Sequence, residues 1–253
     1  MSTEAEISLA QVTHLALQIG LLAHSCGGDT ARTSAAMQRC ATALGAHRVD
    51  TVVSSLNLGL TLEMGVQRET ALRKAPHMGV NFRALNALER ALTALEAGRI
   101  SPAAFKSWTE QIAADTPRYP PWLIVVFVGI ACGGFAALFH GDLAAIALTT
   151  VASAIGMATR QALVKRGLQP LMFATAAAFV ATLITGAGHA LTSTPDAALA
   201  ACVLFLIPGV PLINGTSDLL QGNYLNGNVR LTMAIVIIVG IAIGMSLALR
   251  MVG

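Results

Sequence analysis

Five apolar runs fill the second half of the chain: Trp122–Phe139, Leu143–Thr159, Leu171–Leu191, Ala197–Ile213 and Leu231–Leu249. From Trp122 to Val252, every acid and base except His189 falls between those runs or at their ends. A bilayer imposes this pattern: about 20 apolar residues cross its core as a helix, and a charge at mid-depth costs at least about 2.5–3.5 kcal/mol. The expectation for 118–253 is a polytopic α-helical membrane domain with five transmembrane helices.

The first 117 residues follow a different pattern. Residues 9–25 and 30–45 read as helices separated by Gly27-Gly28-Asp29-Thr30, where Asp29 or Thr30 caps the second. The period then changes. Leu56, Leu58, Leu60 and Leu62 alternate with Asn57, Gly59, Thr61 and Glu63, as a half-buried strand requires. Met64-Gly65 turns the chain into a second strand through Val66–Leu72. Asn81–Ala97 carries an apolar stripe of Phe82, Leu85, Leu88, Leu92 and Leu95, ended by Gly98. Ser101-Pro102 opens a last helix through Ala114. The expectation for 1–117 is a small α+β domain.

Composition sharpens the division. Of 253 residues 55% are hydrophobic and only 11% charged, and mean hydropathy is +0.66, whereas soluble domains carry about 25% charge. Ten of 13 acids and 11 of 16 bases precede Trp122, which sets the boundary near Pro117–Pro121. The net charge of +3 comes with no basic cluster interleaved with aromatics, so nucleic acid is not an expected partner. Cys26, Cys40, Cys132 and Cys202 have no CxxC spacing and are expected to be thiols without a metal.

Met1–Gln11 contains Glu4 and Glu6 and lacks the basic start of an export signal, so the N-terminal domain is expected in the cytoplasm. Basic residues agree. Arg118, the group Arg160, Lys165 and Arg166, and Arg230 mark alternate connections, while the loops at His140–Asp142 and Thr192–Asp196 carry none. Arg250 is the exception, and a terminal arginine can snorkel. The C-terminus is therefore expected outside, with Tyr119 and Trp122 at an interface.

Several features bear on function. Ile207-Pro208-Gly209-Val210-Pro211 ends the fourth run, with Asn214 just beyond. Pro208 and Pro211 remove two backbone donors and Gly209 loosens the helix, giving either a plain kink or a broken helix lining a path. Asp218 and Arg230 are the only charges of the following connection. They either pair, bind a proton or substrate, or sit solvated in a loop. Gly240 and Gly244 form a GxxxG that packs either within one subunit or against another, making a homo-oligomer. His189 either titrates or is an interfacial hydrogen-bonded histidine. In the N-terminal domain Ser54, Ser55 and Asn57 lie by the strand, followed by Arg73, Lys74 and His77 as an anion site or a solvated basic turn. Neither GxSxG nor HExxH supports an enzyme, and no cofactor or catalytic residue is expected.

These residues carry a resemblance. The chain joins an N-terminal domain through Arg118-Tyr119-Pro120-Pro121-Trp122 to five spans. The fourth reads Val203-Leu-Phe-Leu-Ile-Pro208-Gly209-Val-Pro211-Leu-Ile-Asn214, followed by Asp218, Gly222 and Gly227. With Gly27 and Thr30, Ser54-Ser55 with Asn57, and Arg73-Lys74, His77 and Gly79-Val80-Asn81, it resembles the threonine/serine exporter family, in its short, split-type large subunit. The resemblance implies secondary export of a small polar metabolite across the bacterial inner membrane. Threonine and serine are the substrates of full-length members, and succinate is associated with a split-type pair. Full-length members carry a second membrane half, so the resemblance also implies a separate small membrane subunit.

Two functions follow as expectations. In the first, the chain is a subunit of a secondary exporter. It has no Walker A motif, so the proton-motive force is the expected drive. Pro208, Gly209, Pro211 and Asn214 shape its path, Asp218 binds a proton or a substrate amine, and Arg230 binds a carboxylate. In the second, the chain is a membrane-anchored sensor or enzyme whose N-terminal domain binds a small metabolite.

Overall fold

The first helix, α1 (Leu9–Ser25), starts at a reciprocal cap. The Ser8 hydroxyl accepts from the Gln11 amide, and the Gln11 side chain accepts from the Ser8 amide at 3.0 Å. The computed structural model that shows this describes residues 7–76, 79–115 and 119–252. The chain divides into two units, Met1–Pro117 with Leu212–Arg230, and Arg118–Pro211 with Leu231–Gly253. The hydropathy reading had grouped Leu212–Arg230 with the membrane half.

In the first unit, α1 is buried on most sides through Val12, Leu15, Ala16, Ile19 and Ala23, and forms the centre of the core. Helix α2 (Thr30–Ala43) is capped by Asp29, whose carboxylate accepts from the Arg32 amide at 2.7 Å. Three antiparallel strands follow in the order β1 (Arg48–Val53), β2 (Asn57–Met64) and β3 (Gln67–Lys74). The expected alternation puts Leu58, Leu60 and Leu62 in the core, while Leu56 lies outside the strand and exposed. Gly65, at φ 58°, opens the two-residue β2–β3 turn. Strand β1 was not expected from the sequence. Its exposed Arg48, Asp50 and Val52 alternate with only half-buried neighbours, so its apolar signal is faint. Helices α1 and α2 pack on the sheet, and α3 (Phe82–Glu96) and α4 (Pro102–Asp115) pack on α1. Phe82, expected in the α3 stripe, is exposed, whereas Leu85, Leu88, Leu92 and Leu95 are buried. Arg39 joins α2 to α3, with Nε 2.7 Å from Glu96 and Nη1 2.8 Å from Glu89.

The second unit contains α5 (Pro121–Leu138), α6 (Leu143–Lys165), α7 (Pro170–Ala187), α8 (Pro195–Ala201) and residues 231–252 of α10 (Tyr224–Val252). Helix α9 (Gly209–Leu220) lies between α8 and α10 in sequence. Prolines at the first turns of α5, α7 and α8 sit where a helix has no use for the missing N–H. Small residues set the packing. A Cβ on Gly129 would lie 2.7 Å from the Thr150 carbonyl oxygen on α6, and one on Gly240 would lie 2.9 Å from that of Leu171 on α7. A Cβ on Gly244 would overlap the Thr175 carbonyl. The GxxxG face is therefore used against α7 of the same chain.

Among the described residues, four helices are long and apolar enough to cross a membrane: α5, α6, α7 and α10. A fifth is counted only if Pro195–Leu206 and Gly209–Leu220, bent at the break between them, form one span. Of the two forms expected for the run 197–213, a plain kink or a broken helix, the chain takes the broken one: α8, a 3-10 turn at Leu204–Leu206, and the start of α9. The connection 214–230 is helical over most of its length.

Candidate functional site

The broken segment is stabilised from α6. Ser153 Oγ donates to the Cys202 carbonyl at 3.0 Å and Thr149 Oγ1 to the Ala198 carbonyl at 3.4 Å. The Ala198 carbonyl also accepts the Cys202 amide, as in a regular helix, but the Leu206 amide turns to Val203, so the Ser153 hydroxyl satisfies the Cys202 carbonyl that a continuous helix would have bonded itself. Pro208 directly precedes α9 and Pro211 lies in its first turn, where no intrahelical N–H bond is lost. The two prolines therefore start a new helix instead of kinking an old one. Pro208 is buried, and Gly209 and Pro211 are half-buried.

Beyond the prolines the sequence places polar residues one turn apart on each of two helices. Asn214 and Asp218 are i, i+4 on α9, and Asn226 and Arg230 are i, i+4 on α10. Each pair therefore shares a helix face. Gly222, at φ 80°, reverses the chain between the two helices. Its amide donates to the Leu219 carbonyl, and that of Asn223 to the Asp218 carbonyl at 2.8 Å.

The two polar faces meet the turn between α1 and α2. Gly27, at φ 96°, terminates α1 in the same manner, with its amide bonded to the His24 carbonyl and that of Gly28 to Ala23. The carbonyls of this turn point to the α9–α10 hairpin. Asn214 Nδ2 donates to the Gly27 carbonyl at 3.0 Å, and Arg230 Nη2 to the Gly28 carbonyl at 3.3 Å. The first amide of α2, on Thr30, donates to Asp218 Oδ1 at 3.1 Å. Asn226 Nδ2 donates to Thr30 Oγ1 at 3.0 Å and to the Val53 carbonyl at 2.7 Å. Arg230 Nη1 lies 2.9 Å from Asp218 Oδ2.

Asp218 is 0% and Arg230 3% exposed, so this ion pair is removed from water. Its close contact is electrostatic, because the N–H direction misses the oxygen. Among the described residues, Asp218 Oδ2 and Arg230 Nε and Nη1 have no hydrogen-bond partner. Losing one member of a buried pair strands the other, at a cost of about 3–5 kcal/mol. His24 lies buried nearby, with Nδ1 unbonded. Burial, reinforced by the Arg230 guanidinium, pushes its pKa from 6.5 down to about 4, so the ring is neutral at pH 7.

The structure thus joins Asn214, Asp218 and Arg230 in one cluster. The solvated-loop alternative for Asp218 and Arg230 is corrected: both are buried. Gly27, Gly28, Thr30, His24 and Asn226 complete the cluster, although the sequence showed no interaction among them. The signal that could have revealed it is the i, i+4 spacing of the polar pairs.

The other candidates lie elsewhere. Ser54 Oγ accepts from the Asn57 amide at 3.0 Å and donates to the Asn57 carbonyl, closing the β1–β2 turn. Ser55 is half-buried beside it. Arg73 and Lys74 are exposed on β3, and Arg73 Nη2 is 3.3 Å from His14 Nδ1. His77 lies outside the described residues. Asp29 serves as the α2 cap. His189, exposed, donates from Nδ1 to the Gly186 carbonyl at 2.8 Å. Asp142, read only as a loop residue, caps α6 by accepting from the Ala145 amide at 2.7 Å. It also accepts from the hydroxyls of Thr192 and Ser193. These bonds, led by that from Ala145, hold its pKa well below the usual carboxylate range. Among the described residues, no group of three or more His, Cys, Asp and Glu side chains is placed to hold a metal.

A family model described as "Putative threonine/serine exporter" matches residues 14–252. The chain is similar to the "Probable succinate transporter subunit YjjP" of Klebsiella aerogenes, at 31% identity over 96% of this chain and 94% of the relative. The Escherichia coli K12 protein of the same name is also 31% identical, over 96% and 95%. The "Threonine/serine exporter" of Corynebacterium glutamicum is 20% identical over 96% of this chain but only 52% of its own length. No solved structure matches. The match across almost the whole chain, with the proline break and helical hairpin falling inside it, places this protein in the threonine/serine exporter family.

Proposed function

We propose that the chain is a subunit of a secondary exporter in the bacterial inner membrane. It moves a small polar metabolite, either a threonine/serine-type amino acid or a dicarboxylate such as succinate, together with a separate small membrane subunit. The observation that carries this reading is the buried Asp218–Arg230 pair, seated on the Gly27–Thr30 turn with donors and an acceptor to spare. An isolated anchor has no need of such a pair, whose desolvation is costly. Buried charged groups of this kind cluster at functional sites.

The roles follow from the chemistry. Arg230 recognises a substrate carboxylate, and Asp218 takes a proton or a substrate amine. Asn214 and Asn226 hold the hairpin to the N-terminal unit. Pro208, Gly209 and Pro211 shape the path through the helix break. Proton-motive force drives export. The N-terminal unit faces the cytoplasm and the C-terminus lies outside, in keeping with the alternation of basic connections.

The test is efflux from cells loaded with threonine, serine and succinate. Cells expressing the chain with its small partner, the chain alone, and neither are compared. Substrate-specific efflux that requires both components is the expected result. Equal loss from all three kinds of cell, for every substrate, overturns the exporter reading. In that case a metabolite-sensing N-terminal unit becomes the alternative to test.

A further inference from the structure

Asp218 occupies what is, chemically, a carboxylate site. Its Oδ1 accepts the first free amide of a 14-residue helix, α2, where backbone donors and the helix dipole favour an anion. Its Oδ2 lies against a guanidinium, the side chain best shaped to grip a carboxylate with two parallel bonds. Yet the occupant fits poorly. Among the described residues, Arg230, 3% exposed, has no hydrogen-bond partner for Nε, and its Nη1 meets Asp218 Oδ2 at 2.9 Å only as an ion pair without hydrogen-bond alignment. A carboxylate fixed to α9 reaches only part of what the site offers.

A polar cavity lies beside that site. A cavity of about 490 Å³ is lined by Thr30, Ser34, Gln38, Thr51, Val53 and Asn223. It presents hydroxyls and amides without a charged side chain. Thr30 is common to both places, since it lines the cavity and binds Asp218 through its amide. Asn226 bonds two of the lining residues, Thr30 and Val53.

We infer that the Asp218 carboxylate is a built-in occupant of a ligand carboxylate site. A small carboxylate-bearing metabolite entering through the Thr30–Ser34–Thr51 cavity displaces it from the α2 amide and from Arg230. This deepens the exporter reading and rests on it for the physiological cargo, but the site itself is testable without transport. Competition sets the apparent affinity: while Asp218 holds the site, only the small displaced fraction binds ligand.

The test is chemical rescue on the full-length chain in detergent. In Asp218→Ala the site is vacant and Arg230 unpaired, so the variant melts below wild type. Succinate or acetate is expected to raise its melting temperature well beyond equal ionic strength of chloride or an equal concentration of succinamide. The carboxylate effect should vanish in the Asp218→Ala/Arg230→Gln double variant. Asp218→Asn, which keeps the side-chain shape and is easier to recover, should bind succinate about tenfold or more tightly than wild type. Equal response of Asp218→Ala to carboxylate and chloride, or unchanged succinate affinity in Asp218→Asn, overturns the inference. Rescue without cellular efflux sinks the exporter reading and leaves the site standing. Efflux without rescue does the reverse.

Discussion

His24 shows how one side chain reports on the cluster. Its native pKa of about 4 lies below the ordinary 6.5. As pH falls, the unfolded chain therefore takes up a proton before the native one does. The stabilisation is complete above pH 6.5 and is lost as pH falls through that value towards 4. A shift of this size is worth roughly 3 kcal/mol in full. His24→Met, which fills a similar space without titrating, should lose most of the difference in melting temperature between pH 7 and pH 4.5. An unchanged pH profile would show that the ring is not held neutral. His140 makes a second residue-level case. It ends α5 at φ 60°, where its amide bonds the Ala137 carbonyl and that of Gly141 bonds Ala136. That backbone conformation costs an ordinary residue about 1–2 kcal/mol and glycine almost nothing. His140→Gly should raise the thermal stability of the chain, partly offset by the greater freedom of glycine when unfolded, and a lower melting temperature would refute the strain.

At the scale of elements, the glycines of α10 decide between packing within the chain and packing between chains. Gly244→Leu would drive its side chain into the α7 backbone at Thr175 and Phe179. Overpacking of this kind costs about 1–3 kcal/mol. The variant should melt lower while its mass by light scattering stays that of wild type. A drop in assembly size would mean that the face also serves a second copy. Ser153→Ala tests the helix break, because it leaves the Cys202 carbonyl buried without its donor, a loss of about 1–3 kcal/mol. These elements also show what a sequence can reveal. Long apolar runs found α5 and α7 within a few residues, and α6 except for its last six, from Arg160 to Lys165, where charges return, since lipid permits few alternatives. The Leu58–Leu62 alternation found β2 for the same reason of enforced period. The α9–α10 hairpin escaped because its buried face is polar. A reading that equates burial with apolarity sees Asn214, Asp218, Asn226 and Arg230 as a loop, although their spacing is helical. Strand β1 escaped because Arg48, Asp50 and Val52 line an exposed face.

For the molecule as a whole, the open question is which way it crosses the membrane, and the distribution of charge makes a definite prediction. Arg160, Lys165 and Arg166 cluster at the end of α6, whereas the α5–α6 and α7–α8 connections carry Asp142 and Asp196 and no lysine or arginine. Positive charge is retained on the cytoplasmic side, so the α6–α7 connection belongs inside and the other two outside. The same two acidic loops are tied together by Asp142, which accepts from Thr192 and Ser193, so the start of α6 and the loop after α7 form one rim. Cysteine labelling can read this directly, since the native Cys26, Cys40, Cys132 and Cys202 are all buried. In spheroplasts, a membrane-impermeant maleimide should modify Leu191→Cys, which replaces an exposed residue of the rim. Arg166→Cys, at the exposed end of α6, should react only after the membrane is opened. The reverse pattern would put the N-terminal unit outside. The Asp218–Arg230 cluster, which belongs to that unit, would then meet the metabolite after it had crossed, and export could not begin there.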